Sequence, residues 1–289
     1  MQLLSIGRLL FVLLAFAGNL LLSGLAFAQD AKNTNQPLSG YELDIGLNHS
    51  PPFVYINGAF TDLKGIDVDI IRELQRRTGF KLKRDRFHMM GFESLINLAA
   101  EGQMDLAAGA ISITDNRAKI FTQSPGIFPS TQVVITPTNS NIRSINDLVG
   151  KKVAAEAGTN SEDILPASIA KHIDIHHEVT TFMLFYAVLN GHADALVTEE
   201  PIAQAIIKSW ADDKLKIAFK LEGSQSNFGY MMKKDSKVSH VLYATLEQMK
   251  ADGTVDKIIA KYLPEYNHYQ NINAQDHSIA QQSHVITDQ

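Results

Sequence analysis

The 289-residue chain contains no cysteine. It therefore has no thiol for N-terminal lipid modification and no disulfide framework, so its stability must come from a packed core. A basic excess is also missing: 26 Lys and Arg stand against 31 Asp and Glu, for a net charge of −5. No basic stripe marks a nucleic-acid partner. The chain carries neither a GxxxxGK[ST] phosphate loop nor a GxSxG nucleophile elbow, and no internal repeat. Beyond residue 28 no segment approaches the ~18 consecutive apolar residues of a membrane span.

The one long apolar run lies at the start. Residues 1–28 hold a single charge, Arg8, followed by Leu9-Leu10-Phe11-Val12-Leu13-Leu14 and its continuation. Ala26-Phe27-Ala28 places small residues at −3 and −1 of a signal-peptidase site, and the chain turns polar at Gln29-Asp30. An uncleaved anchor is the alternative, but Gly18, Asn19 and Ser23 interrupt the run. Cleavage after Ala28 would leave 261 of the 289 residues as an exported, soluble chain, long enough for one large or two medium domains. Residues 29–40 read as a flexible lead-in. Residues 267–289 are rich in Gln, Asn, His and Ser and read as a disordered tail, because they cannot bury enough surface to offset their ordering entropy.

Between Tyr41 and Tyr262 short apolar strands alternate with amphipathic helices, the pattern of an α/β protein with largely parallel sheets. Strands are expected at Tyr41–Gly46, Asp105–Gly109, Thr131–Thr136, Val153–Ala155, Ile173–Ile175, Asp194–Thr198 and Phe228–Met232. Helices are expected at Val68–Thr78, Phe92–Ala100, from about Ser161, at Thr181–Leu189 and Pro201–Trp210, with two more ending near Tyr262. The loop after the Asp105 strand carries Ser112, Thr114 and Arg117, at a strand's carboxyl end, where open α/β sheets bind ligands.

Five segments in this order resemble the family 3 solute-binding proteins, the periplasmic receptors of polar amino-acid ABC importers. They are Pro52-Phe53; Gly65-Ile66-Asp67-Val68-Asp69-Ile70; Gly102-Gln103-Met104-Asp105; Ile111-Ser112-Ile113-Thr114-Asp115-Asn116-Arg117; and Lys250-Ala251-Asp252-Gly253-Thr254-Val255-Asp256-Lys257-Ile258. The resemblance implies a two-lobed periplasmic-binding-protein type II fold with two hinge crossings. Lobe 1 would comprise residues 41–131 and 228–266, and lobe 2 residues 132–227. It also implies a monomer that closes over an amino acid or similar small carboxylate, with an ABC permease or a sensor as partner, and no cofactor.

Site residues follow from the same resemblance. Arg117 would grip the ligand's α-carboxylate, since a guanidinium offers a planar fork for bidentate, charge-assisted bonds; a surface ion pair is the plainer role. Thr114 suits an N-cap. Ser112 would serve the remaining carboxylate oxygens, and Thr159, with Asn160 beside it, would bring a backbone N–H from lobe 2. Glu199 stands where the family has an Asp that holds the ammonium; its extra methylene moves the carboxylate outward by ~1.5 Å, so either the pocket shifts or the ligand is not an ordinary α-amino acid. At a helix entry, Glu199 or Glu200 would equally be favoured by the helix dipole. Phe92 and Phe53 would wall the pocket or belong to the core. His49 and Ser50 occupy a loop where specificity residues fall. His172, His176 and His177 do not suit one metal ion, because strand spacing puts His172 and His176 ~13 Å apart. A periplasmic enzyme on the same scaffold, resembling cyclohexadienyl dehydratases with Glu199 as general acid, is the second reading; a stand-alone ligand sensor is the third.

Overall fold

The computed structural model describes residues 36–58, 62–161, 163–211 and 213–264. The expected signal sequence, with its cleavage after Ala28, and the expected tail at 267–289 lie outside them. In chain order the elements that position the site are β1 (Ile45–Leu47), α1 (Ile66–Thr78), β2 (His88–Met89), α2 (Phe92–Ala100), β3 (Leu106–Ser112), α3 (Asp115–Ile120), β4 (Thr122–Gln123), β5 (Phe128–Ser130) and β6 (Gln132–Pro137). There follow β7 (Lys152–Glu156), β8 (Asp174–Glu178), α4 (Thr181–Leu189), β9 (Ala195–Glu199), α5 (Glu200–Ile206), β10 (Leu215–Lys220), β11 (Ser226–Met232), α6 (Lys237–Ala251) and α7 (Thr254–Tyr262).

Two sheets organise these elements. The first runs β2-β1-β3-β11-β4, with β5 also paired to β11. Here β1 lies parallel to β2 and β3, whereas β11 is antiparallel to its neighbours. The second runs β8-β7-β9-β6-β10, with β7 parallel to β8 and β9, and β6 antiparallel to β9 and β10. The chain passes from the first sheet to the second between Ser130 and Gln132 and returns between Lys220 and Ser226. The molecule is thus two α/β lobes joined by two crossings. Strands buried on both faces read as nearly continuous apolar runs: all seven residues of β3 and all five of β9 are buried.

Several boundaries differ from the sequence reading. Residues 36–40 pack rather than dangle: Leu38 is buried and its N–H donates to the Thr78 carbonyl at the end of α1. The expected helix from Ser161 is reduced to one turn, Ala167–Ala170, because Pro166 disfavours helical backbone at the residue before it. The first strand is split at Asp44; Glu42 and Leu43 pair with Lys81 and Leu82, while β1 pairs with β3. Strand β3 continues past Gly109 to Ser112, so Ser112 belongs to a strand end and not to a loop.

Gly109 does not end the strand because it makes a bulge. Its φ is +121° and that of Ala110 is +56°, and the register with β11 shifts opposite them. A bulge re-aims the chain next to functional sites. The buried Asp67 carboxylate of α1 holds this one, with Oδ2 accepting from the N–H of Gly109 (2.9 Å) and of Ala110 (3.1 Å), and Oδ1 accepting from the Tyr230 hydroxyl (3.2 Å).

Candidate functional site

A cavity of about 30 Å³ lies between the lobes. Lobe 1 contributes Asn48, Phe92, the bulged backbone of Gly109 and Ala110, Ser112 and Arg117; lobe 2 contributes Glu156, Glu199 and the Thr159 turn. The contributions converge on strand carboxyl ends: Ser112 closes β3, Glu156 closes β7 and Glu199 closes β9.

Arg117 sits in the first turn of α3, the short helix that Thr114 caps by accepting from the Arg117 N–H (3.2 Å). Its guanidinium lies over the Phe92 ring, 5.3 Å from the centroid, a cation–π arrangement. Nη1 donates to the Ser112 carbonyl at 2.8 Å, which commits one of five N–H donors. No described carboxylate lies within ion-pair distance of it. Burial pulls its pKa down, against the fields of Glu199 and Asp163. A half-buried cation with most donors unspent, beside a cavity, is a ready anion site.

Glu199 reaches across from lobe 2. Oε1 accepts from the Ser112 hydroxyl (2.9 Å) and Oε2 from the Ser130 hydroxyl (2.5 Å). Both serines belong to strands of the first sheet, so this carboxylate ties the lobes together. Burial raises its pKa, opposed by those two hydroxyls and by the Arg117 charge. The longer side chain is thereby accommodated: its tip sits among two serines and faces a guanidinium.

Thr159 departs from expectation. Its N–H donates to the Glu156 carbonyl (3.2 Å) and so does its hydroxyl (2.7 Å); both are spent on closing the Glu156–Thr159 turn, so the N–H is not offered to the cavity. Asn160 accepts from the Gln132 amide (3.3 Å). Gly158 in this turn has φ +78°, and a Cβ there would sit 2.8 Å from the Glu93 Cα of lobe 1, so the position needs glycine both for its backbone and for lobe contact. Phe53 and Ser50 do not line the cavity. Phe53 is wholly buried, edge-on to Phe128 and Phe228. The Ser50 hydroxyl donates to the Asn48 carbonyl, shaping the loop (3.3 Å). The Thr181 hydroxyl, whose single proton is shared between two acceptors, lies 3.0 Å from the His49 backbone carbonyl across the lobes and 2.9 Å from Glu156 Oε2, while burial lowers the His49 imidazole pKa. His176 pairs with Glu178 (3.0 Å). Among the described residues no group of three His, Cys, Asp or Glu could hold a metal ion.

Glu156 is the ionisable cavity residue the sequence reading missed. The signal was an acid at the end of an apolar strand, Val153-Ala154-Ala155-Glu156, where chain polarity alone would have suggested a loop residue. Its Oε2 accepts from the Thr181 hydroxyl (2.9 Å), whereas Oε1 is buried with no hydrogen-bond partner. The Asn48 side chain and the Thr181 hydroxyl and backbone N–H all favour its ionised form. Burial prevails and pushes the Glu156 carboxyl up to about 7.

Burial likewise pushes Asp67 up to about 6, against its bonds to Ala110, Gly109 and Tyr230. With Asp67, Glu156 and Glu199 all raised, the folded protein holds more protons than the unfolded chain between about pH 4 and 7. Their stabilisation is complete below the ordinary carboxyl pKa and is lost as pH rises through 6 and 7; the Asp67 shift alone amounts to roughly 3 kcal/mol at ~1.4 kcal/mol per unit. Glu73 and Asp252, lowered to about 2 by Arg76 and Arg77 respectively, act oppositely between about pH 2 and 4, and the lowered imidazole of His49 opposes the three raised acids below its ordinary pKa, one group against three. Urea denaturation of ligand-free protein is expected to show a higher midpoint at pH 5 than at pH 8. The reverse order would contradict the assignment.

Comparison with known proteins agrees with this geometry. PatH of Vibrio harveyi, which carries the name of an amino-acid ABC transporter-binding protein, is 27% identical over 213 residues, 73% of this chain and 84% of its own. The glutamine-binding protein GlnH of an ABC transporter of Bacillus subtilis is 27% identical, covering 72% of this chain and 76% of its own. An ancestral arginine-binding protein, solved with arginine bound, is 28% identical with a TM-score of 0.69, covering 76% of this chain and 97% of that one. These relatives are binding proteins, and the enzyme reading has no counterpart among them. The two lobes and two crossings are those of the type II periplasmic binding proteins. The model of the bacterial extracellular solute-binding proteins, family 3, matches residues 43–265, and the chain belongs to that family.

Proposed function

We propose that the chain is a periplasmic receptor, exported with cleavage after Ala28, which closes over an amino acid and delivers it to the permease of an ABC importer. The observation that carries this reading is the pairing across the cavity: an underused, half-buried guanidinium at Arg117 on lobe 1 opposite a carboxylate at Glu199 on lobe 2. The first suits an α-carboxylate and the second an α-ammonium. Glutamine and arginine are named for relatives of this chain, and both share that head group.

Parting the lobes breaks the Glu199–Ser112 and Thr181–His49 bonds and opens the cavity; a docked head group then replaces them and draws lobe 2 back. Closure is a rigid-body shift whose equilibrium the ligand biases through its differential contacts. Calorimetry across the common amino acids, with thermal shift alongside, is expected to find at least one saturable ligand. If no amino acid binds, the receptor reading is wrong.

The glycine at position 91 tests closure separately. A Cβ there would lie 3.0 Å from the Val179 carbonyl of lobe 2, and its backbone φ of −66° tolerates any residue. Gly91→Leu is therefore expected to wedge the lobes apart, enlarging the radius of gyration by solution scattering and weakening ligand affinity, without lowering the thermal midpoint of ligand-free protein. An unchanged affinity would show that these surfaces do not meet on closure.

A further inference from the structure

Among the described residues three ionisable side chains line the cavity: Arg117, Glu199 and Glu156. The amino-acid reading accounts for two of them. An α-carboxylate balances Arg117 and an α-ammonium balances Glu199, which leaves Glu156 without a counter-charge. Buried carboxylates are ordinarily paired or protonated. Glu156 is 8% exposed, and among the described residues it makes no ion pair. Thr181 contributes a hydroxyl and Asn48 an amide. Glu178, its register partner on β8, is itself an acid and is paired with His176. Burial disfavours the charged form of His49. The negative field of Asp163 also acts on Arg117.

Resting on the amino-acid reading above, we infer that Glu156, which lines the cavity and whose buried Oε1 has no hydrogen-bond partner among the described residues, receives a second positive group, so that the ligand is an amino acid with an ammonium or guanidinium on its side chain. One oxygen of Glu156 is already held by Thr181, which fixes the carboxylate's orientation and leaves the other to accept from a ligand N–H. The charges then close in pairs: carboxylate to Arg117, α-ammonium to Glu199, side-chain cation to Glu156. A neutral side chain of the same shape leaves a buried acid either unpaired or protonated, and a site built to hydrogen-bond a ligand group rejects the analogue that lacks it. The carboxyl's elevated pKa agrees: without a cation beside it, the group holds its proton near neutrality.

Calorimetry with L-arginine against L-citrulline, which has nearly the same shape without the charge, and L-lysine against L-glutamine, tests the inference on the unaltered protein. Arginine is expected to bind roughly 10- to 100-fold more tightly than citrulline, and Glu156→Gln, which keeps the volume and the Thr181 bond, is expected to erase that ratio while citrulline affinity holds. A thermal melt confirms that the variant is folded, and the wild-type ratio decides the question if it is not. Equal affinity for arginine and citrulline, or a preference that survives Glu156→Gln, overturns the inference and leaves the amino-acid reading intact. Silence from all four ligands and from every other amino acid overturns both.

Discussion

Replacing Arg117 by alanine is expected to weaken ligand binding by roughly 30- to several-thousand-fold, the ~2–5 kcal/mol that follows truncation of one partner in a buried, hydrogen-bonded charge pair. Two losses combine. The ligand carboxylate loses its bidentate cation, and Glu199 loses the nearby positive charge that favours its ionised form. Arg117→Lys keeps the charge but forfeits the planar fork and the stacking on Phe92, so it should fall between wild type and alanine. Calorimetry with whichever amino acid binds the wild type measures both variants. Folding is expected to survive, because the side chain gives only one hydrogen bond to the protein, to the Ser112 carbonyl. An Arg117→Ala protein that binds with wild-type affinity would remove the central element of the proposed mechanism.

The second large effect concerns stability and separates two phenylalanines that look alike in the sequence. Phe53→Ala is expected to cost about 3–5 kcal/mol, as truncation of a buried aromatic does. The ring is fully buried and edge-on to Phe128 at 5.4 Å and Phe228 at 4.9 Å between centroids. At ~2–4 °C per kcal/mol for a domain of this size, the thermal midpoint should drop by roughly 10 °C or more, with affinity of the folded fraction unchanged. Phe92→Ala differs. Its ring lines the cavity and carries the Arg117 guanidinium, so its removal should lower affinity as well as stability. Differential scanning calorimetry with and without ligand distinguishes the two patterns. A Phe53→Ala variant that keeps its midpoint but loses binding would put that ring in the pocket after all.

Which acids line the cavity was the hardest matter to read from residues. Glu199 was found because it follows a recognisable strand and stands at a position with a known role. Glu156 had no such marker. An acid after Val153-Ala154-Ala155 is, in one dimension, a polar residue where a strand gives way to a turn. Only the pairing of β7 with β8 and β9, and the seating of Thr181 and Asn48 against it, reveal that its carboxylate points inward. The error at Thr159 has a related origin. A turn N–H at a cleft could serve the ligand or its own turn, and the Glu156 carbonyl, three residues earlier in the chain, captured it.

Local physical chemistry alone determined the succession of strands and helices, because burial on both faces demands apolar runs and burial on one helical face demands a 3.6-residue period. Thr181–Leu189 and Phe92–Ala100 form as their patterns predict, and Arg117 arrives at a cavity because α3 begins where β3 ends. What tertiary structure decided was how separate strand ends meet. Gly109 reads as the end of a strand until Asp67, more than forty residues earlier, is seen to hold it as a bulge. Ser112, Ser130 and Glu199 come together only because the chain crosses twice between the lobes. Periodicity reports which face of an element is buried; it carries no information on which other element, far away along the chain, will bury it.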